Sequence, residues 1–342
     1  MQLAALIKNP DDPVYRYRLH AFEPELRRQG WHICLHSLPR KWLMRLPLYF
    51  RLPGADVVLL QRRLLGPAEI GTLRRFARRL VYDFDDAVMY RSSNSPKGPD
   101  SRRREARFRT ILEAADVVVA GNRFLADVAE RYIHPFKIYR IPTCVDPHQY
   151  VPASHENESS NLQLVWIGSA STVRTLNGFS PRLKAVASAV PKAQLKVICD
   201  VFPDAMPMPI VRCLWSAERE ASDLASADVG ISWMPDGPWS QGKCGLKLLQ
   251  YMAAGLPVVA NPVGVHREMV VHGKNGFLAE TPEEWVEAIQ SLARDAELRK
   301  SMGSAGRKAV LEGYSPGRWA DVFVKVVSGV AGIKKSSSDL GG

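Results

Sequence analysis

Ten short apolar runs, spaced by helical patterns, constrain this chain more than any other feature of it. "QLAALI", "HICLHSL", "DVVLLQ", "RLVYDF", "DVVVAGN" and "KIYRIP" lie in the first half, and "LQLVWIG", "AQLKVIC", "DVGISW" and "LPVVANP" in the second. Each is apolar on both faces, which suits a strand covered on both sides. Helical stretches such as "RYRLHAFEPELRRQG" and "GTLRRFARR" separate them. Strands of this kind alternating with helices predict parallel sheets in an α/β architecture. The segment 143–161 is polar, irregular and carries two prolines, and reads as a linker between two domains of similar design. The expected domains are therefore 1–150 and 151–314, each a Rossmann-like doubly wound sheet, the two facing a cleft. A closing helix, 315–331, packs back on the first domain, and a tail, 332–342, is expected to be disordered.

Composition narrows the function classes. The chain has 342 residues, enough for two such domains, and no apolar run long enough to span a bilayer. Its N-terminus turns acidic too soon for a secretory signal. The five cysteines are scattered and form no C-x-x-C pair, which argues against zinc or disulfide frameworks and for a reducing cytoplasmic setting. Residues 1–155 hold 26 Lys+Arg against 16 Asp+Glu, while the remainder holds 20 against 19. The basic half implies attraction to something anionic, or a solubilising arginine-rich surface. The basic residues show no interleaved aromatics, so nucleic acid is not expected as a partner.

In doubly wound sheets ligands gather at the carboxyl ends of strands, so the residues just after each strand are the candidates. After "LVWIG" the turn from Gly168 supplies Ser169, Ser171, Thr172 and Arg174. Free backbone N–H groups, hydroxyls and a cation there suit an anion, though a plain helix cap uses the same residues. "SQGKCGLKLLQYMAAG" reads as a helix ending at Gly255, with Lys243 and Lys247 four apart near its start and Gln250 on the same face as Lys247. Cations at a helix N-terminus oppose the helix dipole, and an anionic ligand removes that conflict. "LVYDFDDAVMY" ends a strand with Asp83, Asp85 and Asp86, carboxylates close enough to suit proton transfer, or else a cap with solvated neighbours. Arg16 and Arg18 follow the first strand. Asn122 follows another and reads either as a ligand contact or as an N-cap.

"KLLQYMAAGLPVVANPVGVHREMVVHGKNGFLA" resembles the donor-nucleotide segment of the retaining glycosyltransferases of family 4, which have the GT-B fold. "IYRIPTCVD", "ASADVGISWMPD" and "GYSPGRWADVF" resemble further segments of that family in the same order, so the likeness covers nearly the whole chain and is strongest over 225–280. The resemblance implies a transferase that moves a sugar from a nucleotide-sugar to an acceptor hydroxyl with retention. It implies no metal and no cofactor beyond the nucleotide-sugar co-substrate. Lys243, Lys247 and the turn at Gly168 would hold the diphosphate, with Arg174 in the place of the family's phosphate-loop lysine. Gly264 would let the backbone approach the sugar, and Glu268 would lie near the donor. Asp83, Asp85 and Asp86 would serve catalysis. Arg16, Arg18 and Asn122 would meet the acceptor, an envelope glycan or a lipid-linked one, with the basic first domain resting against anionic lipid at the inner face of the membrane. The chain departs from the family at its two hallmark glutamates, where it has Gly242 and Gln250, as in a subfamily carrying "GKCGLKLLQYMAAG". A glutamine still accepts one hydrogen bond and donates another. The departure keeps two other readings open: an epimerase of the same fold, and a non-catalytic sugar-nucleotide binder.

Overall fold

The computed structural model describes residues 1–155 and 161–332. They form two compact units, Met1–Thr143 joined by the helix Pro316–Gly332, and Cys144–Ser315.

The first unit is built on six parallel strands: β1 (Gln2–Ile7), β2 (His32–Ser37), β3 (Val57–Gln61), β4 (Leu80–Phe84), β5 (Val117–Ala120) and β6 (Ile138–Arg140). Their order is β2-β1-β3-β4-β5-β6. β3, β4 and β5 are buried at every position, as expected of strands with helices on both faces. The returning helix Pro316–Gly332 presents Phe323, Val324 and Val327 inward, and Phe323 stacks on Phe22 at 4.8 Å. The helical stretch after β1 is broken at Arg18 into Pro13–Tyr17 and Leu19–Arg28, because Arg18 turns inward to a buried partner.

The second unit repeats the plan with β7 (Leu162–Ile167), β8 (Ala193–Cys199), β9 (Ile210–Leu214), β10 (Val229–Ser232), β11 (Val258–Ala260) and β12 (Gly276–Leu278), all parallel, in the order β12-β11-β10-β7-β8-β9. Its core gathers around Trp166, Phe179 and Trp285, the last two ring to ring at 4.6 Å. The edge strands β9 and β12 are absent from the sequence reading. "IVRCL" is half-exposed or exposed at every position, and "GFL" is three residues set in the polar stretch "HGKNGFLAE", so neither shows as an apolar run.

The linker expectation differs from what is observed over residues 144–155. Val145 donates its N–H to the Tyr314 carbonyl at 3.0 Å, and the Tyr150 hydroxyl donates to Glu220 at 2.7 Å. These residues are buried in the second unit, which begins at Cys144 because Val145 and Tyr150 have apolar sites to fill there. Residues 156–160 of the expected linker and 333–342 of the expected tail lie outside the described residues.

Candidate functional site

In each sheet the strand order reverses once, and that switch point opens a crevice at the carboxyl edge. In the second unit the reversal lies between β7 and β10. The chain leaves β7 at Gly168, where no side chain fits: a Cβ would stand 2.2 Å from the Trp166 ring and 2.7 Å from Thr172 Oγ1. The turn then closes on itself. Ser169 N–H donates to Thr172 Oγ1 at 3.0 Å, the Thr172 hydroxyl donates back to the Ser169 carbonyl at 3.1 Å, and the Ser169 and Ser171 hydroxyls meet at 2.9 Å. Ala170 N–H donates to Asp200, which follows β8, at 2.9 Å. The N–H groups of Gly168, Thr172 and Val173 also end on protein carbonyls. The sequence reading of a turn with free backbone donors is corrected accordingly. The Ile198 carbonyl, the Thr172 hydroxyl and the Asp200 carboxylate take the N–H groups of residues 168, 169 and 170 in turn, and the exposed Ser169, Ser171 and Arg174 side chains are groups the turn offers outward.

The cation that reaches this turn is Lys247. The helix begins later than its sequence suggests. Pro238–Gln241 forms one short turn, Gly245 adopts φ +68°, and the helix proper is Leu246–Ala253. Gly245 has no room for a Cβ, which would come within 2.5 Å of Met269 Sδ. Lys243 therefore lies in the turn before the helix, its ammonium 4.9 Å from the Trp239 ring, and not one helical turn below Lys247. Lys247 sits in the first helical turn. Its ammonium donates to the carbonyl of Ile167, the last residue of β7, and lies 3.6 Å from the Trp166 ring centroid. Burial of that ammonium lowers its pKa to about 7; the neighbouring Cys199 opposes the shift and the charge of Lys243 adds to it. Tyr251 ties the crevice together. Its hydroxyl accepts from Ile167 N–H at 3.0 Å and donates to the Ile231 carbonyl at 3.2 Å, bridging β7 and β10 at the reversal. Gly230 is a glycine because the Tyr251 ring occupies the space of its Cβ. Gln250, on the same helix, is buried.

Gly264, at φ +53°, brings the chain after β11 against residues 240–241, where a Cβ would stand 3.1 Å from the Ser240 carbonyl. Next to it His266 is fully enclosed. Its Nδ1 lies 2.9 Å from the Asn261 carbonyl and its Nε2 3.3 Å from Ser232 Oγ. A carbonyl only accepts, so Nδ1 carries the proton and Nε2 accepts from the serine. Burial lowers the His266 pKa to about 4, so the ring is neutral at pH 7. Glu268 lies exposed on the short helix His266–Met269. Trp166, Tyr251 and His266 were missed in the sequence reading, because they stand inside strands or helices where their residue types pass for core, and Asp200 was missed because an exposed aspartate after a strand passes for a solvated turn residue.

In the first unit Arg18 and Asp83 are sealed together. Arg18 Nε lies 2.9 Å from both carboxylate oxygens, its Nη1 donates to the Ile141 carbonyl at 3.0 Å, and both residues are about 1% exposed. The expected roles of Arg18 at an acceptor and Asp83 in catalysis are corrected by this geometry to a tie between β4 and the chain after β1 and β6. Gln61 Nε2 also donates to Asp83 Oδ2 at 3.3 Å, so this enclosed carboxylate is taken up by protein donors. Asn122 is likewise used: its Oδ1 accepts Leu125 N–H at 2.8 Å as the cap of Arg123–Ala129. Arg16 is half-buried against the Tyr17 ring. What remains at the carboxyl edge is a second group. Arg62, held at φ +58° after β3, bonds Asp86 and lies 3.7 Å from Asp85. Asn9 Oδ1, Arg63 Nε and Asp85 Oδ1 follow β1, β3 and β4. They are buried polar atoms without a hydrogen-bond partner among the described residues. Unsatisfied buried polar atoms are costly, and these three, at the carboxyl ends of the adjacent strands β1, β3 and β4, are the candidates for contact with a polar ligand.

A family model matches part of this framework. Residues 238–309 match the family Glycosyl transferases group 1. That span holds Lys243, Lys247, Gln250, Gly264, His266 and Glu268. The chain is 27% identical over 250 residues to the alpha-maltose-1-phosphate synthase of Mycolicibacterium smegmatis, covering 63% of this chain and 62% of that relative, less than two thirds of its length. Among solved structures, the sucrose-phosphate synthase of Thermosynechococcus elongatus superposes with a TM-score of 0.72 at 17% identity, over 96% of this chain and 98% of the other. Anabaena HepE, solved in complex with UDP and glucose, gives 0.69 at 14% identity, over 96% and 100%. Likeness at this identity shows the fold, and the fold is GT-B. The second unit thus has a segment that matches the group 1 model, on a chain with the GT-B fold.

Proposed function

We propose that the chain is a glycosyltransferase that moves a sugar from a nucleotide-sugar to an acceptor hydroxyl, with retention of configuration and without a metal. The observation that carries this reading is the ammonium of Lys247, held beneath the turn at Gly168 at the strand reversal of the second unit, inside the group 1 segment. A diphosphate there would meet Lys247, Lys243, Arg174 and the outward hydroxyls of Ser169 and Ser171, while Gly264 leaves room for the sugar to approach the backbone. Gln250 is our candidate for the ribose and Glu268 for the outer rim of the donor. HepE was crystallised with UDP and glucose, which makes UDP-sugars the first donors to try. On the first unit, Asp85, whose Oδ1 accepts no hydrogen bond among the described residues but lies 3.7 Å from Arg62 Nη1, forms the acceptor site of this reading with Asn9 and Arg63, and Arg62 bonds the adjacent Asp86 as well. The basic charge of that unit motivates an envelope or lipid-linked acceptor and a location at the inner face of the membrane.

A thermal-shift panel of UDP-, GDP-, ADP- and TDP-sugars tests the donor site directly, since a ligand bound to the native state alone raises the melting temperature. No shift with any of them removes the proposal. The two hallmark glutamates of family 4 are replaced here by Gly242 and Gln250, and this favours a second reading, a binder or an epimerase. Product analysis with donor alone separates these: a new sugar-nucleotide without acceptor points to epimerisation, and binding without turnover on any acceptor points to a binder.

A further inference from the structure

The segment 40–51, "RKWLMRLPLYFR", is folded inside out. Its 3₁₀ turn Trp42–Arg45 and helix Leu46–Tyr49 send polar groups inward. Arg45 is buried, with Nη1 2.7 Å from Glu69, Nε 2.6 Å from the Pro39 carbonyl and Nη2 2.9 Å from the Arg40 carbonyl. The Tyr49 hydroxyl donates to the same glutamate at 2.8 Å. The apolar side chains face out: Leu43, Met44 and Phe50 are each more than 60% exposed, and Trp42 is 43% exposed. Leu35, on the edge strand β2, is exposed as well. These anchors make the patch a fixed feature of the fold. A soluble surface seldom presents so many large apolar groups together unless something covers them.

Charge identifies the cover. Residues 26–55 contain six Lys and Arg and no Asp or Glu. Arg45 is spent on Glu69, but Arg40 and Lys41 just before the apolar group and Arg51 just after it are exposed. We propose that this face seats the first unit on an anionic bilayer, with Trp42, Leu43, Met44 and Phe50 entering the acyl boundary and Arg40, Lys41 and Arg51 meeting lipid headgroups. Tryptophan beside aliphatic side chains, ringed by cations, is the composition of interfacial segments. Arg40 and Arg45 of this segment lie close enough to Arg63 of the proposed acceptor site for their charges to act on it. Arg63, one of the unpaired groups there, has its pKa lowered by burial first and then by the nearby charges of Arg45 and Arg40. A lipid-linked substrate would meet that site from the membrane side. The assignment deepens the membrane location given above and does not depend on the sugar-transfer reading.

The test is co-sedimentation of the full chain with vesicles of phosphatidylcholine alone and of phosphatidylcholine mixed with phosphatidylglycerol, at low and high salt. The wild type should bind the anionic vesicles, more weakly as salt rises. The variant W42S/L43S/M44S/F50S should lose about tenfold or more of that binding. R40E/K41E/R51E should lose it too, which covers the case of an apolar variant that fails to fold. Phe136→Ser, 70% exposed elsewhere in the unit, should bind as the wild type does. If both patch variants bind as the wild type does, the assignment falls while the membrane location stands. If the wild type binds no anionic vesicle, both fall. Self-association in lipid-free solution that the patch variants abolish would give the face to a second copy and overturn the proposal. UDP-sugar thermal shifts, which read the second unit, should be the same in all of these proteins, so a failure here is distinct from a failure of the transferase reading.

Discussion

Lys247 is a charge kept out of water with a carbonyl and an aromatic face as its company. Its folded pKa of about 7 lies below the unfolded 10.5, so the unfolded chain binds the extra proton between those values. The ligand-free protein therefore gains stability from this group as pH rises from about 7 toward 10.5. A bound diphosphate reverses the preference and calls the proton back. Donor binding at pH 8 should take up a proton, which calorimetry in buffers of different ionisation enthalpy will register; equal heats in all buffers would contradict it. Lys247→Met should leave the melting temperature unchanged or higher while raising the donor KM about tenfold or more. Asp83 and Asp85 are distinguished the same way. Breaking the buried pair with Asp83→Asn should cost about 3–5 kcal/mol of stability in denaturant melts. Asp85→Asn should leave the melt nearly unchanged and lower kcat, and a normal kcat would remove Asp85 from the site.

At the level of elements, close approach explains several small residues. Gly303, in the helix Ala296–Gly313, faces Gly255 at the end of Leu246–Ala253, and a Cβ on it would come within 1.8 Å of the Gly255 carbonyl. Gly303→Ala should destabilise by about 3 kcal/mol by forcing these helices apart, with donor affinity falling alongside because Lys247 rides on one of them. Ten of the twelve strands among the described residues were legible as apolar runs, most of them because a strand buried on both faces has little choice of composition. β9 and β12 were not: "IVRCL" is half-exposed or exposed throughout and "GFL" is three residues within a polar, glycine-containing stretch. The site was legible where glycine and lysine stood out at strand ends, as at Gly168, Lys247 and Gly264. It was not where the deciding contact joins distant residues. The distance of 65 positions between Arg18 and Asp83 hides their pairing, and Asp200 meets Ala170 from the next strand. The helix start was misread for a local reason: Gly245 takes a left-handed conformation that pushes Lys243 off the helix.

For the whole molecule, acid stability follows from the enclosed histidines. His266 has a folded pKa of about 4 against 6.5 unfolded, and burial lowers His155 as well. The unfolded chain binds their protons first, so stability is full above about pH 6.5 and is lost as pH falls toward 4. Melting temperature against pH should decline through that window, and His266→Gln should flatten part of the decline. The helix Pro316–Gly332 belongs to the unit that contains β1, although the whole second unit intervenes. Phe323 and Val327 cover Phe22 and its neighbours, and Ser328 accepts a hydrogen bond from Trp31 at 3.3 Å. On a ribosome, then, the lobe that is translated first must wait, its flank bare, while some 170 further residues emerge. The lobe translated second can close earlier, and a nascent chain stalled before Pro316 would offer chaperones the older lobe and not the younger one.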